Sequence, residues 1–304
     1  MQQPLRHHPF VQLLTVAFSM LGCFILFSLI AFFIAIPIFD VSLTELIQYF
    51  ETGALQEHIV LLKYFQTVQS LGMFVLPPFI IAWLYSRNYA EYLKTNIFPR
   101  VSSYVLVMAI VFFSLPFIQF LSQLNQGISF PEGLKGLENW LMNKEESAQE
   151  LTKRFLSADS WKGLLVNVLV VGVLPAIGEE FVFRGVVQRI FSKWTRNEHL
   201  GILIAAFLFS AMHIQFYGLF PRFFLGVLFG YLLLWSGSIW LPVFGHFVNN
   251  ASAVIVFYFT DEVNFKAGKY DAMNMPDVAI YVSLALILGL SFLIYYRERH
   301  LKYK

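Results

Sequence analysis

Residues 163–184 read GLLVNVLVVGVLPAIGEEFVFR, an apolar run that ends in Glu179, Glu180 and, four positions on, Arg184. A helix needs about 20 mostly apolar residues to cross a hydrocarbon core of roughly 30 Å. Residues 163–178 are free of Asp, Glu, Lys and Arg but fall short of that length. Either the charges end this helix at a membrane surface, or the helix continues and carries them inside. The two readings differ in function, because charge within a span is expensive, at about 2.5–3.5 kcal/mol or more per residue at the helix centre.

The rest of the chain supplies the membrane context. Of its 304 residues, 58% are hydrophobic and only 13% charged, against roughly 45–50% and about 25% in soluble proteins. Mean hydropathy is +0.64. So little charge cannot cover a soluble surface of this size, which excludes a water-soluble domain. Charge-free stretches recur at 9–39, 64–86, 101–131, 199–221, 223–260 and 278–296. The fifth of these holds two helices, with a natural break at Trp235-Ser236-Gly237-Ser238. Counting the span inferred at 163–178, the expected fold is all-α: a polytopic transmembrane bundle of about eight spans forming one integral membrane domain, residues 1–304. Spans one to three occupy 1–131, and 278–304 hold the last span and a basic tail. Residues 9–39 are too long for a cleaved signal and read as a retained anchor.

Loop charges predict orientation by the positive-inside rule. Alternate loops place Arg6, the Arg87–Lys94–Arg100 group, the Arg184–Arg189–Lys193–Arg196 group and the C-terminal Arg297, Arg299, Lys302 and Lys304 on one side. The other side receives segments 40–57, 132–160 and 261–277. Segment 40–57 has four acids and no Lys or Arg. Both termini are therefore expected to be cytoplasmic. Segment 132–160 places Leu137, Trp140, Leu141, Leu151 and Phe155 at helical spacing among charges, which suits either an external interfacial helix or a solvated connector. Pro77-Pro78, Pro116 and Pro175 fall inside spans, where kinks are expected. Cys23, the one cysteine, reads as a small apolar side chain. The net charge of +2 and the lack of a long basic run give no reason to expect nucleic acid.

Glu180 and Arg184, four apart, share one helical face within ion-pair reach, whereas Glu179 points about 100° away. Arg184 can hold Glu180 ionised and leave Glu179 for proton chemistry. Two later helices carry polar partners: Phe209-Ser210-Ala211-Met212-His213, and His246-Phe247-Val248-Asn249-Asn250, in which His246 and Asn250 share a face. A lone histidine in an apolar helix is most often a packing residue. Glu, His and His/Asn on three helices are the side chains that activate water and stabilise an oxyanion. His7, His8, His58, His199 and His300 sit near span ends and read as incidental.

Those three motifs, Glu179-Glu180-x-x-x-Arg184, Phe209-x-x-x-His213 and His246-x-x-x-Asn250, resemble in kind and order the hallmarks of the CAAX-protease and bacteriocin-processing (Abi) family of intramembrane proteases. The likeness covers residues 160–260. It implies that Glu179 is a general base on water, with His213, that His246 and Asn250 stabilise the tetrahedral oxyanion, and that Glu180, Arg184 and Phe209 support them. Glu179, His213 and His246 would also serve as a zinc ligand set with water as the fourth ligand, so zinc-bound and metal-free mechanisms are both open. The substrate would be a peptide or membrane-anchored protein. Water would enter through a cavity from the cytoplasm, with Phe181, Phe183, Phe209 and Phe216 as possible lining, though packing is the commoner job for each. Gly226-x-x-x-Gly230 permits close helix approach.

The rival readings are a proton-coupled transporter using Glu179 and Glu180, and an inactive relative that works by binding. Transporters of that kind commonly show internal repeats, and none is evident here. Short outer loops suit a bacterial inner membrane.

Overall fold

The computed structural model describes residues 8–86, 88–260 and 276–299. Arg6, Arg87, Lys302, Lys304, His7, His300 and most of segment 261–277 lie outside the described residues, as do the parts of the charge count that rest on them. The described chain is helical, with no strand. Its principal helices are α1 (Pro9–Phe39), α2 (Leu43–Thr52), α3 (Ile59–Tyr85), α4 (Val101–Phe113), α5 (Leu115–Gln126), α6 (Lys135–Leu156), α7 (Trp161–Thr195), α8 (Glu198–Met212), α9 (Leu219–Ser236), α10 (Trp240–Phe259) and α11 (Asp277–Glu298).

Among the described residues, six helices are long and apolar enough to cross a membrane, or seven if the α4–α5 pair, bent by 43°, counts as one span. The sequence count of about eight also included residues 199–221. There the chain forms α8, only 15 residues, about 22 Å at 1.5 Å per residue. It stops at His213, and the next helix begins at Leu219 rather than near residue 223. The expected break after Trp235 is present: Gly237 caps α9 at φ 66°, in the left-handed region that glycine enters freely.

Contacts between helix ends sort the loops. His8 packs against Trp194, the indole of Trp240 donates to Thr95 O at 2.9 Å, and Glu298 accepts from Arg100 N. The loop 86–100, the α7–α8 turn, the α9–α10 turn and the end of α11 thus share one end, rich in Lys and Arg. Segment 132–160 is largely one helix, α6, which packs on α3, α7 and α10. Its Phe155 and Leu156 are buried, while Leu137 and Trp140 face outward.

Helix α7 is not a uniform α-helix. Wide π-type turns occupy Val168–Val173 and Phe181–Val187, and another lies at Leu71–Val75 in α3. Two of them directly precede Pro175 and the Pro77-Pro78 pair. Proline lacks an N–H and clashes with the carbonyl four residues back, and a widened turn absorbs both effects without ending the helix. The expected bend at Pro116 is the α4–α5 break. Where α7 crosses α3, Gly178 is required: a Cβ there would lie 2.7 Å from Phe74 Cβ. Gly226 and Gly230 do the same for α9 on α8, where Cβ atoms would meet Ala206 Cβ at 2.9 Å and Ile202 Cγ2 at 2.7 Å. The Gly-x-x-x-Gly spacing therefore marks a real close crossing.

Candidate active site

Because α7 runs on to Thr195, its charges lie inside the helix rather than at its end. Glu180 and Arg184 are both buried, and Arg184 Nη1 donates to Glu180 Oε1 at 2.9 Å. Arg184 Nη2 donates to Gly226 O at 3.2 Å, and the guanidinium lies 4.7 Å from the Phe209 ring centroid. Taking two ions out of water costs several kcal/mol each unless partners compensate. Here a carboxylate, a carbonyl and an aromatic face do so.

His246 on α10 joins the two glutamates. Its Nδ1 meets Glu180 Oε1 at 2.8 Å and its Nε2 lies 3.9 Å from Glu179 Oε2. Glu180, expected as structural support, thus holds the imidazole as well as pairing with Arg184. The Glu179 side chain is 14% exposed while that of Glu180 is 0%. Of the two carboxylates, Glu179 is the one that keeps some exposed surface. Rings hold the imidazole as well, with Phe229 stacked on it at 5.6 Å and Phe209 edge-on at 6.0 Å.

His213 caps the end of α8. Its Nδ1 lies 2.8 Å from Phe209 O, and a carbonyl accepts only from an N–H, so Nε2 carries the lone pair of the neutral ring. The following residue, Ile214, has φ 52°, an uncommon conformation for a β-branched side chain. Strain of this kind clusters at functional sites. Phe209 is the hub, since its ring also packs edge-on to Phe183 at 5.3 Å and to His213 at 5.1 Å.

Asn250 is partly committed elsewhere. Its Nδ2 donates to Val171 O at 3.1 Å, a carbonyl in the first wide turn of α7, and its Oδ1 accepts from Asn249. One Nδ2 hydrogen remains beyond the Val171 bond.

As for zinc, Glu179 and His246 approach one another, but no group of three or more His, Cys, Asp or Glu side chains among the described residues is gathered as a metal site. Glu179, His213 and His246 thus do not present a formed tetrahedral ligand set. Phe181, Phe183 and Phe209 are buried packing residues, and Phe216 pairs with Phe130 and Tyr217.

Sequence reading passed over Arg222, taking it as the boundary between two apolar stretches. The structure places it inside the first turns of α9, where it donates to Gln215 O at 3.3 Å and to Gln215 Oε1. Its positive charge acts on Glu179 and His213. Glu145 of α6 acts on Arg222 in turn, and Glu145 Oε2 is buried with no hydrogen-bond partner. The available signal was a charge within six residues of Gly226-x-x-x-Gly230. An apolar cleft of about 460 Å³ lies beside the site, between α7 (Val173, Ala176, Ile177) and α10 (Val243, Phe244, Phe247).

Comparison with known proteins agrees with the motif reading. Residues 161–252 match the family described as type II CAAX prenyl endopeptidase Rce1-like. An uncharacterized protein of Bacillus subtilis (strain 168), YpbD, is 27% identical over 94 residues, 30% of this chain and 45% of that protein. An uncharacterized 24.3 kDa protein of Escherichia coli is 28% identical over 103 residues, 33% of this chain and 48% of that protein. The chain spans under half the length of these curated relatives. No solved structure matches.

Proposed function

We propose that this chain, whose residues 161–252 match the type II CAAX prenyl endopeptidase Rce1-like family, is an intramembrane endopeptidase that hydrolyses a peptide bond of a membrane-anchored protein or peptide. The observation that carries the reading is the placement of His246 between a fully buried, ion-paired Glu180 and a partly exposed Glu179. A transport relay needs neither the imidazole clamp nor the division of labour between the carboxylates.

In this mechanism the Glu179 carboxylate takes a proton from a water molecule held between it and His213. The water oxygen bonds to the scissile carbonyl carbon, and the carbonyl π pair moves onto oxygen. The doubly protonated His246 ring, its Nδ1–H held by Glu180, presents Nε2–H to that oxyanion, and the uncommitted Nδ2 hydrogen of Asn250 joins it. Collapse re-forms the carbonyl and breaks the C–N bond, and the proton held by Glu179 passes to the leaving amine. Glu180 and Arg184 keep the His246 ring in one orientation throughout. The apolar cleft beside α7 and α10 suits the lipid-embedded part of a substrate. No step is assigned to a metal. We place the protein in a bacterial inner membrane, with the basic end of the bundle toward the cytoplasm.

The test is cleavage of membrane-anchored peptides by purified wild type and Glu179→Ala, each with and without chelator. The reading requires cleavage by wild type, none by the variant and no effect of chelator. Cleavage surviving in Glu179→Ala overturns the assignment of the base, and loss of wild-type activity with chelator overturns the metal-free route.

A further inference from the structure

On the basic end of the bundle, a second cavity of about 330 Å³ lies between α7, the loop that carries Lys94, and the end of α9. It is separate from the apolar cleft and from Glu179. Four basic residues line it, Lys94, Arg184, Arg189 and Lys193, against one acid, Glu198. Arg184 is neutralised by Glu180. Among the described residues, Lys94, Arg189 and Lys193 are in no ion pair. Arg189 is held in place by a 2.8 Å bond to Tyr92 O and by stacking 4.1 Å from the Tyr92 ring. Lys94 is fixed by a left-handed backbone at φ 59°.

Gln188 and Ser192 also border the cavity, but their unpaired oxygens lie in helix crossings, Gln188 Oε1 against Gly230 and Ser192 Oγ against Gly201, with no surface open to a ligand. The chemistry the cavity itself offers is that of its cations, which call for an anion. Trp194, Trp235 and Trp240 lie at this end, the depth at which membrane tryptophans gather. Leu233 and Leu234 form the apolar side of the cavity.

We infer that this cavity binds a phosphate-bearing headgroup, supplied by an anionic glycerophospholipid of the adjoining leaflet. Lys94, Arg189 and Lys193 take the phosphate. Basic pockets between spans are established sites for such headgroups. The inference is independent of peptide hydrolysis.

The experiment measures the thermal midpoint of the purified full chain, and its affinity for lipid, in mixed micelles containing phosphatidylglycerol, phosphatidic acid or phosphatidylcholine. Parallel arms use inorganic phosphate and glycerol 3-phosphate. Phosphatidylglycerol and phosphatidic acid should stabilise and phosphatidylcholine should not. Each of Lys94→Gln and Lys193→Gln should weaken phosphatidylglycerol binding roughly fivefold, the equivalent of about 1 kcal/mol per basic residue. Arg297→Gln, at the same end of the bundle but outside the cavity, should change nothing. Equal stabilisation by all lipids overturns the proposal, as does an Arg297→Gln effect as large as that of the lysines. Stabilisation by millimolar glycerol 3-phosphate equal to that by the lipid overturns the lipid assignment.

Discussion

Glu180 Oε1 accepts from His246 Nδ1 at 2.8 Å across 66 residues of sequence, so the support carboxylate and the site imidazole are one structural unit. The same oxygen accepts from Arg184. Removing Glu180 strands a buried guanidinium, and breaking a buried pair costs about 3–5 kcal/mol. Glu180→Ala should therefore unfold at markedly lower denaturant or temperature. Glu179→Ala, which leaves that pair intact, should abolish cleavage with a stability change under about 1 kcal/mol. Equal destabilisation by the two variants would refute the division of roles.

Asn250 should show two separable effects. Loss of its bond to Val171 O costs about 1 kcal/mol of stability. Loss of an oxyanion donor costs about 10²–10³ in kcat. Asn250→Ala should show both, with KM nearly unchanged. A variant that loses stability but keeps kcat would make Asn250 a helix tether only.

Arg222 acts on Glu179 and His213 from a helix that carries no motif residue at that depth. Arg222→Gln should lower kcat by about tenfold to a hundredfold, the lower part of the range for lost electrostatic stabilisation, and Arg222→Lys should recover part of it. Glu145→Gln, which removes the carboxylate of α6 from this charge network, should shift activity less than Arg222→Gln does. If Arg222→Gln keeps full kcat, the charge is structural.

The motif spacing of α7 to α10 was legible because residues four apart on a helix share a face, and it singled out Glu179, Glu180, Arg184, Phe209, His213, His246 and Asn250 as candidates. Three things were hidden. The wide turns of α7 leave no residue pattern, so nothing showed that Val171 O would be free to take Asn250. Arg222 and Glu145 come within electrostatic range of one another only through tertiary packing, and one of them lies in a segment that read equally well as a connector. The end of α8 at His213 was masked because Ile214 to Pro221 are as uncharged as the helix before them.

Ile214 gives a backbone test. A left-handed conformation costs an L-residue about 1–2 kcal/mol, and glycine does not bear that cost. Ile214 is 61% exposed, so little packing is lost with its side chain. Ile214→Gly should be neutral or more stable by up to about 1 kcal/mol in denaturant melts, where an ordinary Ile→Gly change destabilises. Clear destabilisation would mean that the side chain itself holds the turn.

At the opposite end of the bundle, Ser42 and Glu45 form a capping box on α2. The Ser42 N–H and hydroxyl hold the Glu45 carboxyl below its ordinary value of 4.5. Its contribution is therefore complete above that value and is lost as pH falls through the lower folded-state value. Exchange protection of the first α2 amides, corrected for intrinsic rate, should decline over that acidic window in wild type. In Glu45→Gln it should be low and flat throughout.

The Phe209 ring touches Phe183, His213, His246 and the Arg184 guanidinium at once. The two histidines consequently cannot be retuned one at a time: any change that tilts this ring reorients both and the cation above it. Selection for a different substrate has to act at the rim, on surfaces such as the cleft between α7 and α10, while the centre is inherited whole.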